Sequence, residues 1–184
     1  MTTPTTAVTV ALAAVAQQLT EMGRAERRAQ LIAWRIPSTH RQTELHQVRR
    51  TNAGHLKEIV SAHGWPTAGL VGDEAAVYAV RILLACPEPG FLLLCRDLMK
   101  QAVDSGELPE QLFAHVVDVC AVAMSVPQTY GTQVNPRTLR PYPIRDVEAA
   151  ERLRADIGLV PLAEQSADYL ARGAGPDAAG RGRP

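Results

Sequence analysis

Val8, Leu12, Val15, Leu19 and Met22 follow one another at steps of four and three residues. That spacing gathers all five on one face of an α-helix, whereas a strand would scatter them over both of its faces. The same rhythm returns in Leu45, Val48, Asn52, Leu56 and Ile59, and again in Leu112, Val116, Val119 and Ala123. No stretch alternates apolar and polar residues long enough to build a sheet, and no unit repeats at a period of 20 to 50 residues. Aromatic residues make up 4% of the chain, so its apolar content is carried by Ala, Leu and Val rather than by large strand-formers. The expected fold is all-α: a single-domain helical bundle.

Proline, glycine and capping residues mark where the helices stop. The first runs from Ala7 to Gly23, or on to Trp34 through Leu31 and Ile32, and Pro37 closes it in either case. Ser38 or Thr39 caps a second helix that ends with His63 at Gly64, before the extended pair Trp65-Pro66. Asp73 is the expected N-cap of a third, running to about Cys86, where Pro87 and Pro89 break it. Phe91 to Ser105 and a segment opening at Pro109 read as the next two. From about 126 to 145 the periodicity vanishes, and a long ordered loop carrying Pro127, Pro136, Pro141 and Pro143 is expected there. Asp146 then caps a short helix, and a last one carries Leu162 and Leu170. Residues 1–6 read as a disordered leader, 7–36 as an N-terminal helical extension, 37–171 as the helical domain and 172–184 as a disordered tail.

Composition narrows the function by exclusion. A chain of 184 residues buries roughly two-thirds of its unfolded surface and needs no disulfide staples. Its 19 basic residues balance 19 acidic ones, so no overall field draws it to nucleic acid or to a membrane. The basic first third (Arg24, Arg27, Arg28, Arg35, Arg41, Arg49 and Arg50) has no interleaved aromatics and reads as a solvated face. Cys86, Cys95 and Cys120 are odd in number, widely spaced and set among apolar neighbours, as buried thiols of a reducing compartment are. The apolar run Val8–Ala16 is too short to span a bilayer, and no Lys or Arg precedes it. A cytoplasmic protein without a cofactor or a metal is expected.

His63 closes the second helix at the negative end of its dipole, where it serves either as a proton-transferring group or as a cap supporting Gly64. Trp65 is a pocket wall or a core anchor. Gln128, Tyr130 and Gln133 each donate and accept hydrogen bonds. They either orient a substrate or tie the long loop to the helices. Cys86 is a nucleophile only if a neighbouring base lowers its pKa, and packing is its other role.

Several of these residues stand in strings that resemble a known pattern: Asn52 with Leu56-Lys57-Glu58-Ile59-Val60, His63-Gly64-Trp65-Pro66, Val71-Gly72, Pro127-Gln128 and Tyr130-Gly131-Thr132-Gln133. Pro143-Ile144 with Asp146, and Gly158-Leu159 with Pro161-Leu162, complete it. Over residues 42–170 the chain is similar to an uncharacterised bacterial family, a domain of unknown function. The resemblance also implies acidic residues where Arg49 and Thr51 stand, a Gln-His pair at Ala85-Cys86, a Gln near Leu92 and an Asp-Arg pair at Asp118-Val119. The chain therefore reads as a divergent member with a more apolar pocket, or as one that has lost its activity. Its N-terminal extension serves assembly or lies across the pocket as a lid.

The expected function is a cofactor-independent small-molecule enzyme in a helix-lined pocket, with specialised metabolism as one setting. His63 and Tyr130 are its expected catalytic pair, performing acid–base chemistry such as hydrolysis, cyclisation or isomerisation. Trp65, Gln128, Gln133, Asn52 and Cys86 are its expected substrate contacts. The alternative is a non-catalytic helical module that binds a ligand or a protein, with a homodimer through the Val8/Leu12/Val15/Leu19 face of the first helix as the expected assembly.

Overall fold

Two charged residues, Glu26 and Arg49, sit on helical faces that are apolar apart from them and Asn52, and the packing of the first two helices follows from where they meet. The computed structural model describes residues 4–136 and 138–172. Helix α1 is one uninterrupted segment, Pro4–Arg35, and α2 spans Thr39–His63. Ser38 begins α2 by accepting a hydrogen bond from the Arg41 N–H at 3.2 Å, and Gly64 ends it with φ of 74° and its N–H on the Val60 carbonyl. Glu26 bonds Arg49 while Met22 bonds Asn52, so the numbers rise along one helix as they fall along the other. The two helices are antiparallel.

Gly23 does not interrupt α1, although a mid-helix glycine costs about 1 kcal/mol against alanine. A Cβ added there would meet Tyr78 Cδ1 at 2.0 Å. The bare backbone is what lets the Tyr78 ring lie against α1.

One turn of helix, α3 (Ala68–Val71), precedes α4 (Asp73–Leu84), which runs beside α1 in the same direction. The N-cap of α4 is Gly72, with φ of 80°, so Asp73 stands inside the first turn instead of capping it. There its carboxylate and that of Glu74 still complement the helix dipole. Pro89 opens α5 (Pro89–Asp104) rather than breaking a helix, since a proline at the first position gives up an N–H that would have no partner anyway. Helix α6 (Glu110–Ala123) follows Pro109 and packs on α5, with α4 between that pair and α1.

Leu19, Leu56, Ala79, Leu83, Cys95, Met99 and Val116 are fully enclosed where these helices meet. Of the α1 face that suggested a dimer, Val15 and Leu19 are spent in this core, while Leu12 is only partly buried and the Val8 side chain lies outside the described residues. Beyond α6, residues 125–136 and 138–145 are irregular, with bridges pairing Gln128 with Ile144 and Val134 with Pro141. Helices α7 (Val147–Asp156, capped by Asp146) and α8 (Leu162–Arg172) complete the domain. Pro4, Thr5 and Thr6 of the expected leader belong to α1; residues 1–3 of it, and 173–184 of the expected tail, lie outside the described residues. The architecture is all-α, with eight helices among the described residues.

Gly23 offers a sign test of the α1–α4 contact. Gly23→Ala raises helix propensity yet should lower the stability of the protein by about 1–3 kcal/mol, measured by denaturant unfolding, because the new methyl overlaps the Tyr78 ring. In a Tyr78→Ala background the same change should instead stabilise, by about 0.5–1 kcal/mol.

Candidate functional site

Glu26 follows Leu19 and Met22 on the buried stripe of α1, and Arg49 and Asn52 lie between Leu45 and Leu56 on that of α2. A charge carried into a helix interface needs a partner, and here each is the other's. Arg49 Nε donates to Glu26 Oε1 at 3.0 Å, with the two residues 9% and 8% exposed. Asn52 Nδ2 reaches Glu26 Oε2 at 3.3 Å and the Met22 carbonyl at 3.1 Å, so both carboxylate oxygens are engaged. The pair opens on one side into a cleft of about 370 Å³ between α1, α2 and α4. Arg27 and Gln30 extend its wall on α1, and Tyr78 and Arg81 face them from α4, with Leu31, Ile82, Leu84 and Ala85 supplying apolar surface. Arg27 and Arg81 are exposed, and among the described residues neither guanidinium has an ion-pair or hydrogen-bond partner. Arg49 itself and Ala85 both line this cleft.

A second buried carboxylate organises the long loop. Asp118 on α6 is fully enclosed, and its Oδ1 accepts the N–H groups of Thr129 and Tyr130 at 2.8 and 3.1 Å. Its Oδ2 accepts the Thr132 N–H at 2.8 Å and the Thr132 hydroxyl at 3.0 Å. Gln128 plays a similar part at the loop's base, where its Nε2 donates to the Gln133 and Tyr142 carbonyls and its Oε1 accepts from the Gln133 N–H at 2.7 Å. Gln133 Nε2 bonds Thr132 Oγ1, and Arg154 donates to the carbonyls of Tyr130 and Val160 and to Gln165. Burial holds the Arg154 guanidinium below its ordinary pKa. Gly131, with φ of 72°, lies so close to Ile144 and Leu162 that a Cβ would meet them at 2.6 and 2.7 Å. The Tyr-Gly-Thr-Gln string is thereby accounted for as loop architecture: backbone donors for Asp118, a bare turn and an amide tie.

The structure thus brings Gln128, Tyr130 and Gln133 together, with the two amides engaged by the chain itself. Tyr130 is half-buried, and its phenol is pushed above the usual range by burial first and then by the charges of Asp118 and Glu110. His63 is exposed at the last position of α2, and among the described residues no hydrogen bond or ion pair joins it to Tyr130. Trp65 is a core residue, packed in the same cluster as Leu56 and Leu83. Cys86 is buried, and burial raises its thiol, as it does Cys120; the Cys95 thiol is pushed up to about 12. Asn52 is buried and does not line the cleft, but it holds Glu26, which does. Sequence reasoning misses Glu26, Arg27, Arg49, Tyr78 and Arg81 as members of a site. The signal that could have found two of them is a charge at a heptad-like step on an apolar stripe: Met22 to Glu26, and Leu45 to Arg49.

Two outcomes follow from this chemistry. Asp118→Ala strands the Thr129, Tyr130 and Thr132 amides and should cost about 3 kcal/mol or more, with amide hydrogen exchange over 126–145 rising ahead of that in α2 and α4. Raised thiol pKa values leave little thiolate at pH 8, so iodoacetamide should modify Cys86, Cys95 and Cys120 slowly in the folded protein and rapidly in guanidinium. Fast, selective labelling of Cys86 in the folded protein would contradict this.

Among the described residues, no helix is long and apolar enough to cross a membrane, and no three His, Cys, Asp or Glu side chains converge as a metal site. No curated protein and no solved structure matches the chain. One family model does, over residues 3–172, a span that includes α1 along with the motifs of the loop. The chain belongs to that family, DUF6624, a family of unknown function.

Proposed function

We propose that this chain binds a small molecule in the cleft between α1, α2 and α4, which makes it a helical ligand-binding protein. The observation that carries this reading is the Glu26–Arg49 pair, buried at a concave surface and held by Asn52. A buried ion pair stabilises a helix interface no better than apolar side chains of similar volume, and often less well. A structure that keeps one where two helices could have packed with leucines, and leaves it facing an open cleft, has the composition of a site: apolar walls and a few convergent polar groups. The cleft's volume of about 370 Å³ lies within the range of small-molecule pockets.

An acid–base enzyme built on His63 and Tyr130 asks for a hollow shared by both rings, and the polar groups of the loop around Tyr130 are occupied in holding the loop. The two proposals separate in one experiment. A panel of neutral, anionic and cationic metabolites is screened for a rise in Tm with the full chain, with Ala85→Phe and with His63→Ala. Ala85 is half-exposed on the cleft wall, so phenylalanine there should fill the space while leaving the far-UV helical signal intact. Compounds that raise Tm should lose their effect in Ala85→Phe and keep it in His63→Ala. The reverse pattern would move the site to the second helix's end and overturn the cleft.

A further inference from the structure

Resting on that reading of the cleft, we infer that its ligand is an organic oxyanion, a molecule whose carboxylate or phosphate head is seated by Arg27 and Arg81 and whose carbon body lies against the apolar wall. Three arginines, Arg27, Arg49 and Arg81, line the space against one acidic residue, Glu26. Glu26 is already committed: one oxygen takes Arg49 Nε and the other takes the Asn52 amide. It therefore leaves the charges of Arg27 and Arg81 uncompensated, and these two come from different helices, α1 and α4, onto one concave surface.

Their neighbour Arg24, one turn earlier on α1, shows how an arginine here serves the fold, for it pairs with Glu74 across the same helix interface at 2.9 Å. Arg27 and Arg81 have no such partner among the described residues. A planar guanidinium presents donors in a fork that matches the oxygens of carboxylate and phosphate, and two forks on facing walls hold such a head more firmly than a surface charge can. The low-dielectric walls of a cleft strengthen that attraction relative to open surface. Tyr78, Leu31, Ile82 and Leu84 leave room for an apolar body rather than for a bare inorganic ion. The Tyr78 ring is fixed against Gly23, which makes it a firm wall.

Benzoate and phenyl phosphate are suitable probes, with benzyl alcohol as the neutral analogue and benzylamine as the cationic one. Each is titrated into the full-length protein at low ionic strength and followed by NMR on the Arg27 and Arg81 Nε–H resonances and the Tyr78 amide. The two anions should shift these resonances saturably and bind about tenfold or more tightly than benzyl alcohol, and benzylamine should bind more weakly still. Arg27→Gln and Arg81→Gln should each weaken anion binding about tenfold with the helical spectrum unchanged, since both residues are exposed. The ratio of phenyl phosphate to benzoate affinity then assigns the head group.

Benzyl alcohol binding as tightly as benzoate at the same resonances would overturn the oxyanion and leave the cleft standing. Anion binding that ignores both substitutions would overturn the seat. If probes of every charge leave the cleft resonances unmoved while shifting those near His63 or Tyr130, the underlying reading of the cleft fails as well.

Discussion

The ion pair between Glu26 and Arg49 is the contact on which the upper half of the molecule turns. It sits where two apolar stripes meet and sets the register of α1 on α2, since sliding either helix by one turn would leave a buried charge alone, at a cost of several kcal/mol. Asn52 fixes the carboxylate from beneath by donating to both Glu26 and the Met22 carbonyl. With α1 and α2 so aligned, Gly23 presents the gap into which Tyr78 of α4 fits, and the third wall of the cleft is placed. Register and cleft thus come from one interaction.

Asp118 offers an instructive contrast. It too is a buried carboxylate, yet among the described residues it has no cationic partner within hydrogen-bond reach and does not line the cleft; four donors from Thr129, Tyr130 and Thr132 satisfy it. Such a carboxylate serves as a peg around which an irregular segment winds, supplying the bonds that a helix or sheet would have made within itself. Gln128 and Arg154 repeat the device with an amide and a guanidinium. The molecule's polar interior therefore divides in two. The cluster on α6 and the loop is closed upon itself, while the cluster of α1 and α2 borders open space.

The helices were legible because the apolar spacing repeats over many turns and because Ser38, Gly64 and Asp146 carry end signals that depend on nearest neighbours alone. Helix α3 was not, since four residues hold too little period to detect, and Pro89 looked like a break because a proline reads alike before a helix and inside one. The loop's extent was visible in its prolines. Its purpose was not, for a glutamine has the same letter whether it orients a substrate or, as Gln128 does with Tyr142, holds a distant carbonyl of its own loop. The cleft was least legible of all. Glu26 and Arg49 are 23 residues apart and each, taken singly, reads as solvated charge; pairing across a helix hairpin is needed to show that both are inside. Tyr78 acquires meaning only against Gly23, which in the linear chain looked like a place for a helix to end.

The claim that this pair sets the helix register and borders a ligand site without adding net stability is tested most directly by replacing both members with apolar residues of similar size. Equilibrium unfolding of Glu26→Leu/Arg49→Met is compared with the parent chain, alongside its affinity for benzoate and phenyl phosphate. The account predicts a double variant as stable as the parent, or more stable by about 1–4 kcal/mol, whose affinity for both anions has fallen. A double variant that is markedly less stable and still binds them as the parent does would show the pair to be a structural clasp, and would remove the ground for placing a site above it.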